Sequence, residues 1–276
     1  MIDSLRADFL SSEIAIRLLA LFGMLIILIG WEALAPRRRL SQPRWRRWFA
    51  NFGLALIDST MLRLAVPAAA VGLAVAAQAQ GWGLFNLWAT PGWLAMGLSL
   101  LLLDLALYGQ HLASHAVPVL WRLHRVHHSD LEVDVTTGLR FHPAEILLSL
   151  FYKGAIVVVL GAPPAAVLIF EVLLSSSSLF IHSNLRLPGG FERALRRVWV
   201  TPDIHRVHHS VLPPETDSNY GTCLSLWDRL FHTYRAQPQA GHDTMTLGLE
   251  QFRAPADQRL WRLTIQPLHG ELPGGR

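Results

Sequence analysis

The sequence predicts an all-α polytopic membrane protein, with about four to five transmembrane or re-entrant helices and a cytosolic helical cap holding a histidine-rich dimetal site. Three observations carry this expectation. Hydrophobic residues make up 51% of the 276-residue chain and charged residues only 16%, with a mean hydropathy of +0.31; soluble domains usually carry about a quarter charged residues. Apolar runs recur along the chain at lengths near the ~20 residues that a bilayer crossing needs. The hexapeptide HRVHHS occurs twice, at 124–129 and 205–210, among 13 histidines. The length accommodates one domain of several spans, with little left for an accessory domain.

The elements follow in order. The opening residues, MIDSLRADFLSSE, have no basic stretch before an apolar one and no small-residue cleavage site, so no removed signal peptide is expected. A first span covers Ala15 to Leu34, with Arg17 near its start positioned to snorkel to the interface. Arg37, Arg38, Arg39, Arg44, Arg46 and Arg47 then crowd one stretch, interleaved with Trp45, Trp48 and Phe49. Beside a span, that mixture reads as a surface anchor touching anionic lipid rather than as a nucleic-acid face. A second span runs from Met61 to Gln78, where Pro67 introduces a kink that neighbouring helices tolerate. A third covers Trp93 to Tyr108. Residues 145–181 hold two short apolar arms broken at Gly161-Ala162-Pro163-Pro164, either a complete hairpin or a re-entrant one. The resulting division is 1–92 for the N-terminal helices and basic segment, 93–240 for the histidine-rich domain and 241–276 for a polar tail.

If the arginine-rich stretch lies in the cytoplasm, the third span delivers His111 and the following residues to that side, and a hairpin returns to the side it left. Both hexapeptides then meet on one face of what is expected to be the cell inner membrane.

Histidine spacing carries the chemistry. His111 and His115 stand at i and i+4 at the end of the third span; His124, His127 and His128 stand at i, i+3 and i+4, and His205, His208 and His209 repeat that pattern. On a helix each set shares one face, a poor arrangement for a core and a good one for metal ligands, since each neutral imidazole offers one nitrogen while the other donates to a supporting acceptor. His142, in RFHPAE, and His182, in IHSN, lie at the membrane boundary where these clusters belong. The total is too many ligands for one ion and about right for two. His232, beside Trp227 and Phe231, reads as packing, and His242 and His269 as parts of the tail. Imidazole suits zinc, copper, iron and nickel alike, so ligand type does not choose the metal. Cys223 is the only cysteine, which removes disulfides and thiolate sites as a theme.

These residues resemble the fatty acid hydroxylase/sterol desaturase superfamily of membrane di-iron oxygenases. The resemblance rests on DLALYGQHLASH (104–115), HRVHHSD (124–130), TTGLRFHPAE (136–145), HSNLRLP (182–188), TPDIHRVHHS (201–210), and NYG with WDRLF (219–231), half the chain in the expected order. It implies that His111, His115, His124, His127, His128, His142, His182, His205, His208 and His209 bind two iron ions, with O2 as oxidant and a lipid as substrate. Hydroxylation and desaturation are both open, as is ether-lipid cleavage following hydroxylation. The neutral ligand set calls for acids to balance charge: Asp104 and Asp203 are assigned catalytic parts, with Asp130, Asp134 and Glu145 as further candidates, while Asn184 and Asn219 read as turn-capping residues. One departure is His232, where such proteins usually have glycine. No GxGxxG loop, CxxC pair or haem-binding domain is visible, so electrons are expected from a separate ferredoxin, cytochrome or reductase. No nucleic-acid partner is expected. A membrane protein that binds zinc without catalysis is the reading from another class.

Overall fold

The computed structural model describes residues 2–41, 43–65 and 69–270. The chain runs through α1 (Ile2–Leu34), α2 (Arg44–Ala65), α3 (Ala69–Gln80), α4 (Leu84–Leu87), α5 (Gly92–Ala116), α6 (Pro118–His128), a 3-10 turn (Val135–Leu139), α7 (Pro143–Leu160), α8 (Pro164–His182), α9 (Gly189–Leu195), α10 (Pro202–His208), α11 (Pro213–Thr216), α12 (Leu226–Leu230) and α13 (Leu260–Ile265). Strand-like pairing among the described residues is confined to isolated bridges such as Pro36 with Leu185 and Ser210 with Leu247. The protein is all-α and polytopic.

Among the described residues, five segments are long and apolar enough to cross a membrane: Ser12–Leu34, Arg44–Leu87, Gly92–Ala116, Pro143–Leu160 and Pro164–His182. The last two are the hairpin arms, 18 and 19 residues long; at ~1.5 Å per residue each approaches the ~30 Å hydrocarbon thickness. The turn between them is set by Gly161, whose φ of 67° is left-handed, a conformation glycine adopts without a Cβ clash. Pro164 at the first position of α8 then starts the next helix. A membrane-side core joins Val71 and Ala74 of α3, Leu103 of α5, Val157 of α7 and Phe170 of α8. Residues such as Leu19, Ile26, Leu64 and Val159 point outward, where apolar side chains meet lipid.

Three expectations change here. The second span is longer than Met61 to Gln78, because α2 already begins at Arg44; Pro67 lies outside the described residues. Arg17 turns inward rather than only towards the interface, with Nη1 3.0 Å from Glu171 Oε2. The arginine-rich stretch is divided. Trp45 and Phe49 are 67% and 71% exposed, with Arg46 stacked on Trp45, as an interfacial anchor requires. Arg47 is 3% exposed and bonds Asp130 and Asp134 at 2.7–2.9 Å. Arg37 pairs with Asp243 and Asp203, and Arg38 donates to Met245 O. The sequence hides these acids because they stand far from the arginines along the chain.

Residues 241–270, read as a polar tail, pack onto the cap. Met245 and Leu247 join Val133 in a buried cluster. Gln258 bonds Arg140 and Ser129 O, and Arg125 donates to Gln266 O and His269 O.

Candidate metal centre

Helix α5 carries His111 and His115 out of the span. Val117 leaves helical geometry, and Pro118 starts α6, which carries the first hexapeptide. Thr201 caps α10, its Oγ1 accepting from Ile204 N at 3.4 Å, and α10 carries the second. Within each hexapeptide the valine, Val126 or Val207, is fully buried as a packing anchor. The arginines fasten the surroundings: Arg125 reaches the 266–269 backbone, while Arg206 pairs with Asp203 and donates to Ser183 O.

Nine of the ten predicted histidines converge in two groups. His111, His115, His124, His128 and His208 form one, and His127, His182, His205 and His209 the other, with potential ligand atoms in each within 4.8 Å of one another. The repeats exchange roles. In the first, the i and i+4 histidines serve the five-histidine group and i+3 crosses to the four-histidine group; in the second the assignment is reversed. Each triad therefore straddles both groups, and His128 and His209 stack across the divide with ring centroids 4.7 Å apart.

The ring orientations are fixed from behind. Nδ1 donates to Tyr220 O from His111 (2.7 Å), to Glu145 Oε1 from His124 (2.6 Å), to Arg140 O from His127 (3.2 Å), to Ser178 O from His182 (2.6 Å) and to Ser218 O from His208 (2.7 Å). His115 Nδ1 lies 3.3 Å from Asp217 Oδ1. A carbonyl or carboxylate only accepts, so each such ring holds its hydrogen on Nδ1 and turns an Nε2 lone pair inward. Among the described residues the buried Nε2 atoms of His111, His124, His128 and His208 have no hydrogen-bond partner.

His182 Nε2 lies 3.0 Å from both His127 Nε2 and His205 Nε2. His127 and His182 thus face each other lone pair to lone pair, which is repulsive unless a cation sits within reach. Nitrogens bound at ~2.1 Å and at right angles on one ion are about 3.0 Å apart. The donor set therefore fits a nitrogen-ligated metal at each group. Burial, then the charge of neighbouring rings, holds His127, His128, His205, His208 and His209 well below the usual histidine pKa of 6.5, keeping them neutral as ligands must be.

His142 stands apart from both groups, correcting its place in the expected set. It is the N-cap of α7: Nδ1 accepts from Ala144 N at 3.1 Å, and Nε2 donates to Thr264 O at 3.0 Å. Asp104 also lies away from the rings. Its Oδ2 accepts from Trp227 Nε1 at 2.8 Å and Leu224 N at 3.2 Å, tying α5 to the loop whose Tyr220 carbonyl orients His111. Asp203 faces Arg206, Arg37 and His242, and the arginine and histidine charges hold its carboxyl below the usual aspartate range against burial. Asp130 and Asp134 belong to the Arg47 network. Of the acids considered from sequence, Glu145 is the one that touches a ring of the five-histidine group at a short distance. Asn184 links the α8 end to Arg38 through N–H···O bonds in both directions. Asn219 and His232 both adopt left-handed φ, at 54° and 60°; the second accounts for glycine being usual there.

Sequence reasoning missed Asp217, Ser178, Ser218, Tyr220 and Arg140, most of which act through backbone carbonyls and so leave no trace in side-chain identity.

A cavity of about 370 Å³ opens beside His111, His124, His127, His182 and His205 and extends between α1, α2, α7 and α8. Leu107, Leu139, Ile146 and Ile181 supply apolar wall, and Phe141 stacks on His127 at 4.5 Å.

A family model described as fatty acid hydroxylase matches residues 96–233. Ornithine lipid hydroxylase OlsE of Rhizobium tropici is 32% identical over 51% of this chain and 42% of its own length. Alkylglycerol monooxygenase of Xenopus tropicalis is 30% identical over 67% of this chain and 41% of its own, and cholesterol 25-hydroxylase of Rattus norvegicus is 28% identical over 52% and 47%. The chain thus spans less than half the length of these relatives. No solved structure matches.

Proposed function

Because the chain belongs to the fatty acid hydroxylase/sterol desaturase superfamily of histidine-rich di-iron membrane proteins, we propose that it is an O2-dependent oxygenase acting on a membrane lipid. The observation that supports this most directly is the juxtaposition of two imidazole groups with a cavity whose lining includes His111, His127, His182 and His205. Two bound iron ions would supply the reduction of O2 and the oxidant that attacks an unactivated C–H bond.

The chain's own residues do the rest. The apolar wall holds a hydrocarbon segment against the rings and excludes water, so that the oxidant meets substrate rather than solvent. Glu145 and the carbonyls of Tyr220, Arg140, Ser178 and Ser218 hold the ligands in one tautomer and orientation. Asp104 is a positioning residue for the Tyr220 loop. Asp203 keeps the start of α10 in place through Arg206. Electrons come from a separate ferredoxin, cytochrome or reductase, and the cap faces the cytoplasm.

The alkylglycerol-named relative, matched over 67% of this chain, favours a second reading: hydroxylation next to an ether oxygen, after which the ether opens to an aldehyde and an alcohol. Metal analysis of gently purified protein, together with lipid profiling of cells with and without it, tests both. One iron per histidine group and an O2-dependent lipid gaining one oxygen or losing two hydrogens are expected, with aldehyde release marking the ether reading. His127→Ala and His208→Ala are expected to abolish the product while the protein still inserts. Full turnover in His208→Ala would remove this site from the mechanism.

A further inference from the structure

The cavity does not end in hydrocarbon. Away from the histidines its wall carries Lys153 of α7 and Glu171 of α8, joined at 2.5 Å, and Arg17 of α1, 3.0 Å from the same carboxylate. Arg17 is also bonded to Glu13 at 2.7 Å. Asp58 of α2 also lines the cavity, at 7% exposure, and its Oδ1 has no hydrogen-bond partner among the described residues. Ionisable groups inside a membrane segment are costly and are retained where they face a pathway or a ligand.

These groups mark a recognition site with a definite chemistry. Arg17 and Lys153 are balanced by Glu13 and Glu171, so the cluster has no net charge with which to draw a phosphate out of water. A lysine ammonium has three donors, and among the described residues Lys153 donates to Glu171, which leaves donors for an acceptor oxygen. An acceptor oxygen that carries no charge satisfies these donors, which describes the oxygen of a hydroxyl or a secondary amide. Building on the lipid-oxygenase reading above, we infer that the far end of the cavity binds a neutral hydroxyl or amide group of the substrate through Lys153 and Arg17, with Glu171 holding the two cations in place.

The site also measures distance. Glu171 and His182 lie on the same helix, and a rise of ~1.5 Å per residue separates them by about 16 Å. Oxidation therefore falls on a carbon about that far from the polar group, towards the other end of the lipid.

The test compares three probes on one saturated C16 chain (N-palmitoylethanolamine, hexadecyl phosphate and hexadecane) binding to the full metal-loaded protein in detergent. The amide probe is expected to bind at least about tenfold more tightly than either of the others, the factor expected of one hydrogen bond to a charged group. Lys153→Met, which leaves Glu171 paired with Arg17, is expected to abolish that preference, and Lys153→Arg to keep it. If Lys153→Met does not fold, Arg17→Met reads the second donor, with a loss confined to the amide probe. Equal binding of the three probes by the natural protein, tighter binding of the phosphate, or a preference that survives both Lys153→Met and Arg17→Met overturns the site. O2 uptake is followed separately: uptake without the probe ranking overturns the recognition site alone, and the ranking without uptake under any donor overturns the oxygenase reading alone.

Discussion

Removing the Glu145 carboxylate tests whether the five-histidine group is a metal site tuned from behind. Glu145 Oε1 accepts from His124 Nδ1 at 2.6 Å, and its Oε2 is buried without a partner among the described residues. The bond fixes the His124 tautomer and raises the basicity of the inward nitrogen. A hydrogen bond to a charged group contributes about 1.5–3 kcal/mol, and loss of such a supporting partner lowers metal affinity by about 10–100-fold. Glu145→Ala leaves the His124 N–H facing a cavity, so the full effect is expected; Glu145→Gln keeps an acceptor without the charge and falls between. The assay is stepwise release of metal to a competing chelator, with circular dichroism as the folding control. One of the two metals is expected to leave at lower chelator concentration and the other to be unaffected. Unchanged release in Glu145→Ala, or equal weakening of both metals, would refute the assignment of Glu145 to one group.

Further outcomes follow from the packing. Arg47→Met leaves Asp130 and Asp134 buried without their cation and is expected to cost about 3–5 kcal/mol in thermal unfolding in detergent; Arg47→Lys does not restore it, because an ammonium lacks the fork that reaches both acids. His232→Gly relieves a left-handed backbone and is expected to raise stability by about 1 kcal/mol, read as a higher Tm. A Cβ at Gly138 would meet Ser178 O at 2.8 Å, so Gly138→Ala displaces the carbonyl that orients His182 and loosens metal in the four-histidine group, read by the same chelator titration. Metal-free protein should lose stability in acid. Burial, chiefly, lowers His242 from 6.5 to about 4 and the cap ligands well below 6.5. The unfolded chain therefore binds protons that the folded chain refuses, so stability is fully present above about 6.5 and falls as pH drops towards 4. A flat Tm across that window would contradict the buried, neutral state of these rings.

What the sequence discloses and what it conceals divide along physical lines. Apolar length and helical spacing are local, and they disclosed the long apolar helices and nine histidines that converge in the two groups. His142 carried its own contrary signal: a residue directly before a helix-starting proline occupies the N-cap, where its ring nitrogen satisfies a free backbone N–H. Most partners of Arg47, Arg140 and Arg125 are non-local, 83 to 144 residues away in bonds such as Arg47 to Asp130 and Arg125 to His269, and no periodicity announces them. For the same reason residues 241–270 read as a polar tail, although Gln258 fastens it to Arg140 and Gln266 to Arg125 of the first hexapeptide. Glu145 was visible as a candidate, but its choice over Asp104 and Asp203 depends on which acid the turn of α7 brings to His124.

The doubled hexapeptide has a consequence for assembly. If each copy served one group, either group could form alone once its own helix folded. Instead His127 crosses to the group built around the second copy, and His208 to the group built around the first. Neither ligand set is complete until α6 and α10 meet, so metal binding reports the docking of two segments far apart in sequence. Metal affinity at either group then contributes to the stability of the whole cap, since ligands absent from the unfolded chain convert binding energy into folding energy. The cavity is lined by His124 and His127 of the first copy and His205 of the second, so its wall too is complete only when both copies are in register.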